Sequence, residues 1–197
     1  YTILATSKST NLTHIPRNPI MTRQEFDLKP VSHITSDAIG LPGQRVFYIQ
    51  AWQTERPQAV TIIVEKIQLQ SLAIGIEKLM ADLEREKPDL SQAMTDYDSA
   101  HMQILPPVDP IFRAGEIGIG YDEATDLVIL MAKEILLEDA QEENASVARF
   151  WCTRSQIRRM ARWSLEVINR GRPICPQCGQ PMEPEGHFCP KKNGHKH

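Results

Sequence analysis

Three cysteines near the end of the chain constrain its folding more than any other feature. Cys175-Pro-Gln-Cys178-Gly179 is followed by Gly186-His187-Phe188-Cys189-Pro190 and then Asn193-Gly194-His195. Only Ile174, Met182 and Phe188 are apolar in this stretch. Ordering a backbone costs roughly 1 to 2 kcal/mol per residue, and so little apolar surface cannot offset that. A bound metal can.

A Cys-Pro-x-Cys-Gly turn suits zinc, because both thiolates converge on one point while amides around the glycine can donate to sulfur. A structural zinc takes four such ligands. A regular ribbon would place a fourth cysteine three residues after Cys189, but Lys192 stands there, so a histidine must complete the set. His187 sits between turns and is the preferred fourth ligand. His195 is the alternate; it lies near the C-terminus, where chains fray, although two ligands as close as His187 and Cys189 require a tight bend. The expected site is therefore Cys175, Cys178, His187 and Cys189, a zinc-ribbon-like knuckle with a structural rather than catalytic metal, since only Glu183 and Glu185 could act as acid or base beside it. A redox Cys-x-x-Cys would sit near a βαβ pattern, which is missing here.

The other 170 or so residues read as an ordinary globular chain: 41% of the protein is apolar and 24% charged, with a net charge of -3. No overall basic excess points to a nucleic acid or an anionic membrane. Residues 1–25 are expected to be a disordered extension; Tyr1 to Ile20 mix Ser, Thr, Asn and Pro without the apolar run of a signal peptide. Met21 is the expected natural start. No stretch approaches the roughly 18 apolar residues of a membrane span, and cysteines at metal spacing without an export signal suit a cytoplasmic location.

Residues 26–170 read as an α+β core. Val31, His33 and Thr35 alternate up to the turn at Leu41-Pro42-Gly43-Gln44, and Arg45 to Trp52 and Ala59 to Glu65 read as adjacent antiparallel strands. Leu69, Leu72, Ala73, Ile76, Leu79, Met80 and Leu83 recur at helical spacing. Residues 88–105 read as loop, followed by strands at Phe112 to Tyr121, Leu127 to Leu136 and Val147 to Cys152, with an acidic loop at Leu137 to Asn144. Glycines 115, 118 and 120 mark a bulge or a close backbone approach. Ile157, Met160, Ala161, Ser164, Leu165 and Ile168 define a second helix.

The halves look alike. Val64 to Ala73 lies over Cys152 to Ala161 without a gap, and Gly40 to Ala51 matches Gly120 to Ala132 with one residue of difference in the turn. The expectation is a tandem βββα duplication about a pseudo-twofold axis: an antiparallel sheet with two packed helices.

Arg154, Arg158 and Arg162 share a helical face, with Arg159 adjacent. This is the one basic patch, readable as a phosphate-binding surface or as a solvated face balanced by the acidic 138–143 loop, with the second reading preferred. Trp151 and Trp163 are expected in the core, and Cys152 is expected as a buried packing residue. Gly115-Glu-Ile-Gly118-Ile-Gly120 is not followed by a helix and fails as a phosphate loop. There is no nucleophile elbow, Walker sequence or His-Glu-x-x-His.

Gly40-Leu-Pro-Gly43-Gln44-Arg45, Phe112-Arg113-Ala-Gly115 and Arg172-Pro173-Ile-Cys175 through Pro190 and Asn193-Gly194 resemble, over about residues 26 to 195, a bacterial family known as domain of unknown function 3090. The resemblance implies a cytoplasmic bacterial protein starting at Met21, and no catalytic residue. The leading expectation is a non-enzymatic zinc-containing binding or adaptor protein with a protein partner, using Arg45, Arg113 and the arginine face. One alternative is nucleic-acid binding through Arg154 to Arg162. Another is an enzyme on a small phosphorylated or acidic substrate, with Arg45, Asp109 and Arg113 lining a cleft.

Overall fold

The computed structural model describes residues 23–41, 43–54, 59–136, 141–171, 175–179, 182 and 188–192. The expected extension up to residue 22, the Met21 start, His187 and His195 lie outside the described residues. Runs of β-branched and aromatic residues form β1 (Glu25–Leu28), β2 (His33–Ile39), β3 (Val46–Trp52), β4 (Val60–Val64), β5 (Pro110–Asp122), β6 (Leu127–Glu134) and β7 (Val147–Thr153). The two helically periodic runs form α1 (Lys66–Glu86) and α2 (Arg154–Asn169). Of these elements, β1 was not legible, being only four residues long.

The strands order as β1-β7-β6-β5-β4-β3-β2. Laid flat, such a sheet would separate its edges by about 29 Å, at roughly 4.8 Å per strand. Yet β1 and β2, at opposite edges, are joined by residues 29–32 alone, which reach no more than about 18 Å. The sheet must therefore curl until its edges meet. The seam is closed by hydrogen bonds: Val31 N–H donates to Trp151 O on β7 (2.9 Å), and the next residue, Ser32, donates to Trp52 O on β3 (2.8 Å).

The sheet is mixed rather than antiparallel. β4 runs parallel to β5 and β7 parallel to β1, while the remaining pairs are antiparallel. A parallel pair needs a long crossover, which α1 and the segment after it supply between β4 and β5, a βαβ connection contrary to the sequence expectation of none. The last strand of each half thus lies beside the first strand of the other. β5 serves both neighbours through a register shift between Ala114 and Glu116, at the expected bulge. Gly115 is needed there, since a Cβ would lie 3.1 Å from Ile135 Cα. β1 and β2 together make the equivalent bent strand in the first half.

The registers make the equivalence specific. Gln50 pairs with Thr35 and Thr61; Met131 pairs with Gly118 and Arg149. Ala51 and Ala132 correspond, as the sequences suggest, but Asp37 rather than Gly40 occupies the place of Gly120. Both helices start with a capping box whose third residue is glutamine. Gln68 Nε2 donates to Ala114 O (3.2 Å) and Gly115 O (3.0 Å), and Gln156 Nε2 to Val31 O (3.1 Å) and Ser32 O (3.0 Å), so each pins the bend of the other half's first strand.

One core joins sheet and helices. Ile49, Ile62, Leu130 and Phe150 are fully buried, as are Leu69, Ile76, Ile157, Met160 and Trp163 from the helices. Trp163 Nε1 donates to Ser36 O (2.7 Å), and the Ser36 and Ser164 hydroxyls lie 2.8 Å apart. Cys152 is buried as expected, and burial pushes its thiol pKa up. Trp151 departs from expectation: it is half-buried on the outer face, its Nε1 donating to Asp27 Oδ1 (2.6 Å) and Lys29 Nζ lying 3.6 Å from its ring.

The segment from Lys87 to Asp109 has no helix or strand; Ser91 to Tyr97 lie against α2, and residues 102–105 then run as a strap over the outer face of β2 and β3. Gln50 Nε2 donates to Leu105 O (3.0 Å) and its Oε1 accepts from Leu105 N–H (2.8 Å), while Thr35 Oγ1 donates to Met102 O. Thr35, Gln50 and Thr61 are consequently at most 1% exposed. Among the described residues, no helix is long and apolar enough to cross a membrane.

Candidate metal centre

After α2 the chain turns at residues 176–178, and Gly179 N–H closes the turn on Cys175 O (2.9 Å). Gly179 has φ +73°, where a side chain would be strained, so glycine follows the second cysteine for a conformational reason. The turn brings Cys175, Cys178 and Cys189 together, their sulfurs all within 4.8 Å of one another. Cys175 and Cys189 are buried and Cys178 half-buried.

Sγ of Cys175 lies 3.9 Å from Sγ of Cys189. A disulfide would need about 2.05 Å. Two sulfurs each about 2.3 Å from a tetrahedral metal are about 3.8 Å apart, so the observed spacing fits a shared ion. The Cys178 N–H, followed by that of Gln177, donates to the Cys175 sulfur and lowers its pKa to about 7. Thiolate is thereby accessible near neutrality, and thiolate is the form a metal binds. The residues present fit a metal ion through these three sulfurs. Both candidates for a fourth ligand, His187 and His195, fall outside the described residues.

The end of α2, ahead of the centre in the chain, is held by Arg45. Arg45 donates to Val167 O (2.8 Å) and Ile168 O (3.0 Å), placing a cation on the negative end of the helix dipole. Gly171 passes directly over that guanidinium: a Cβ there would fall 2.1 Å from Arg45 Nη2. Arg113 is elsewhere, paired with Glu65 at the N-cap of α1. Arg45 and Arg113 thus hold the ends of different helices, and Asp109 is an exposed residue at the end of the strap.

The arginine face is balanced by carboxylates from other elements; of the 138–143 loop expected to do so, residues 138–140 lie outside the described residues. Arg154 makes a bidentate contact with Asp126 (2.7 and 3.1 Å) and donates to Ser91 O (2.6 Å). Arg158 pairs with Glu77 (3.1 Å) and Glu84 (3.1 Å), tying α2 to α1. Arg162 is exposed. These partners are remote in sequence, Glu77 and Glu84 on α1, Asp126 in the turn between β5 and β6 and Ser91 in the segment after α1; Glu142, from the acidic segment, lies 3.5 Å from Lys133.

Sequence reasoning also left His33 unassigned. Its ring stacks on Trp52 at 4.5 Å, and burial, followed by the nearby His101, lowers its pKa. Facing positions His33 and Trp52 on β2 and β3 carried the signal, but only once the register was known.

The elements and their cysteines define a mixed α+β protein with a candidate thiolate metal centre at its C-terminal end. The chain belongs to the family described as protein of unknown function (DUF3090), whose model matches residues 26–189. No curated protein and no solved structure matches it.

Proposed function

We propose that the chain is a non-enzymatic binding or adaptor protein whose C-terminal knuckle is held by a structural zinc. The observation that carries this reading is the convergence of Cys175, Cys178 and Cys189 at metal-ligand spacing. His187 completes the set, with His195 as alternate. Zinc brings no redox chemistry; when bound it crosslinks a segment too poor in apolar residues to order itself. Reduced thiols at this spacing suit a cytoplasmic protein.

A protein partner is the better match to the surface than a nucleic acid. Arg154 and Arg158 already face carboxylates, which would have to be displaced before phosphate could bind. An enzyme using Arg45 and Arg113 would draw on groups already holding α2 and α1. We also infer that the halves descend from a tandem βββα duplication, supported by the matching registers and by the paired roles of Gln68 and Gln156.

The test is elemental analysis of protein purified without added metal. One zinc per chain is expected, lost in Cys178→Ser and His187→Ala but kept in His195→Ala. Substoichiometric metal in the unaltered protein, with the knuckle equally protected from proteolysis after chelation, overturns the reading.

A further inference from the structure

The two halves are equivalent in register but not in covering. On the outer face of the first half, the cross-strand row Thr35–Gln50–Thr61 is sealed by an extended strap, with Asp37 Oδ2 near Ile104 N–H (3.5 Å) extending the contact to the next row. The equivalent row of the second half is Gly118–Met131–Arg149, and the next is Gly120–Ile129–Trp151. These residues line an open groove of about 340 Å³, a size within the range of small binding clefts. Met131 is 45% exposed there, and nothing lies within 4 Å of where a Cβ at Gly118 or Gly120 would be. Beyond Gly118 the apolar surface continues into a cleft against α1, bordered by Gly75, Ile117 and Ile67, the last 66% exposed.

We infer that this groove receives an extended, apolar segment of a partner protein, lying across β5, β6 and β7 as residues 102–105 lie across β2 and β3. The first half supplies the mode of binding, because the same register there holds extended chain. The change in lining residues supplies the chemistry. Where Thr35, Asp37 and Gln50 grip the strap through hydrogen bonds, Gly118, Gly120 and Met131 offer depth and apolar surface, so side chains of the partner rather than its backbone fill the groove. Arg149 is its one charged lining residue, with Nη1 3.3 Å from Glu25 Oε2 and the side chain 31% exposed. Glu25 engages one nitrogen of this guanidinium, and a partner carboxylate beside the groove's apolar residues complements the others.

The inference rests on the reading of the chain as a binding protein and is independent of the metal. A library of linear dodecapeptides is displayed against the full chain, and synthetic versions of the enriched peptides are titrated into protein carrying labelled isoleucine and methionine methyl groups. The expected peptides alternate apolar residues and carry an acidic one. They shift the Ile129 and Met131 methyl signals, and affinity drops by about tenfold or more in Gly118→Phe and in Gly120→Phe, whose side chains start from a Cβ in open space and project into the groove. Arg149→Gln weakens binding and Arg149→Lys restores part of it. Enriched peptides that shift signals elsewhere and ignore both glycine variants overturn the groove while leaving a binding protein. No enriched peptide overturns the groove, and metal content tests the zinc knuckle separately. Self-association that shifts these same methyl signals and vanishes in Gly118→Phe assigns the face to a second copy and overturns the partner.

Discussion

If the two bends of the sheet are held in the same way, removing either glutamine that pins them must weaken the protein by a similar amount. Gln68→Met and Gln156→Met keep side-chain length and remove the amide. Gln68→Met loses three bonds, the cap bond from Glu65 N–H (2.8 Å) and two donations to backbone carbonyls. Gln156→Met loses the same three, the cap bond from Thr153 N–H also being 2.8 Å, and a fourth from Thr153 Oγ1 (3.0 Å) within the cap itself. A neutral hydrogen bond contributes about 1 kcal/mol net, and a buried carbonyl left without a partner costs about 1 to 3 kcal/mol. Val31 and Ala114 are 4% and 2% exposed, so their carbonyls cannot recover water, whereas exposed Ser32 and half-buried Gly115 recover part of theirs. The expected cost is about 2 to 3 kcal/mol for each variant, or roughly 5 to 10 °C in Tm for a chain of this size. Urea titration gives the free energy and calorimetry the Tm, with circular dichroism confirming the fold. A cost below about 0.5 kcal/mol for one variant and above about 2 kcal/mol for the other refutes the equivalence of the two bends.

Gly171→Ala should cost about 1 to 2 kcal/mol, because its Cβ evicts Arg45 from Val167 and Ile168; in an Arg45→Met background the same change should cost little, which a double-mutant cycle reads directly. Stability should decline as pH falls below about 6.5. His33 is held neutral by burial and by nearby His101, itself 2.8 Å from Asp98, so the unfolded chain takes up the proton first; above that pH the stabilisation is complete, and His33→Phe should flatten the slope of urea midpoint against pH. Chelation should raise proteolysis after Gly171 while leaving the circular dichroism of the sheet and helices unchanged. Retained metal after chelation, together with equal protection, contradicts that outcome.

Most of the fold could be read from the sequence because it is written in local patterns. β3 and β4 are β-branched runs, and α1 and α2 have apolar residues at helical spacing, so their existence follows from short-range order. The three cysteines were legible for the same reason, as ligand spacing within one turn and one return. What escaped depends on long-range pairing. β1 has four residues and means nothing until it lies against β7. The mixed character of the sheet follows from which strands meet, not from any strand alone. The roles of Arg154 and Arg158 depend on Asp126, Glu77 and Glu84, brought near by packing. Even Gly118 and Gly120, noticed as irregular, acquire a meaning only when Thr35 and Asp37 are seen to occupy the matching places.

The point where the halves diverge is the chain that follows each helix. After α1, the chain crosses α2 at Ser91 to Tyr97, and residues 102–105 then lie over the outer face of β2 and β3 and bury its polar row. After α2, the chain turns back on itself around Cys175, Cys178 and Cys189, and none of the described residues of that knuckle lines the groove on β5 to β7. A segment this poor in apolar residues has little to gain by spreading over a sheet, and three sulfurs at ligand spacing give it a closed alternative. On the proposed reading, the trailing segment of the second helix gathers its described residues into a cluster of their own, and the face of Gly118, Met131 and Trp151 is left to another chain.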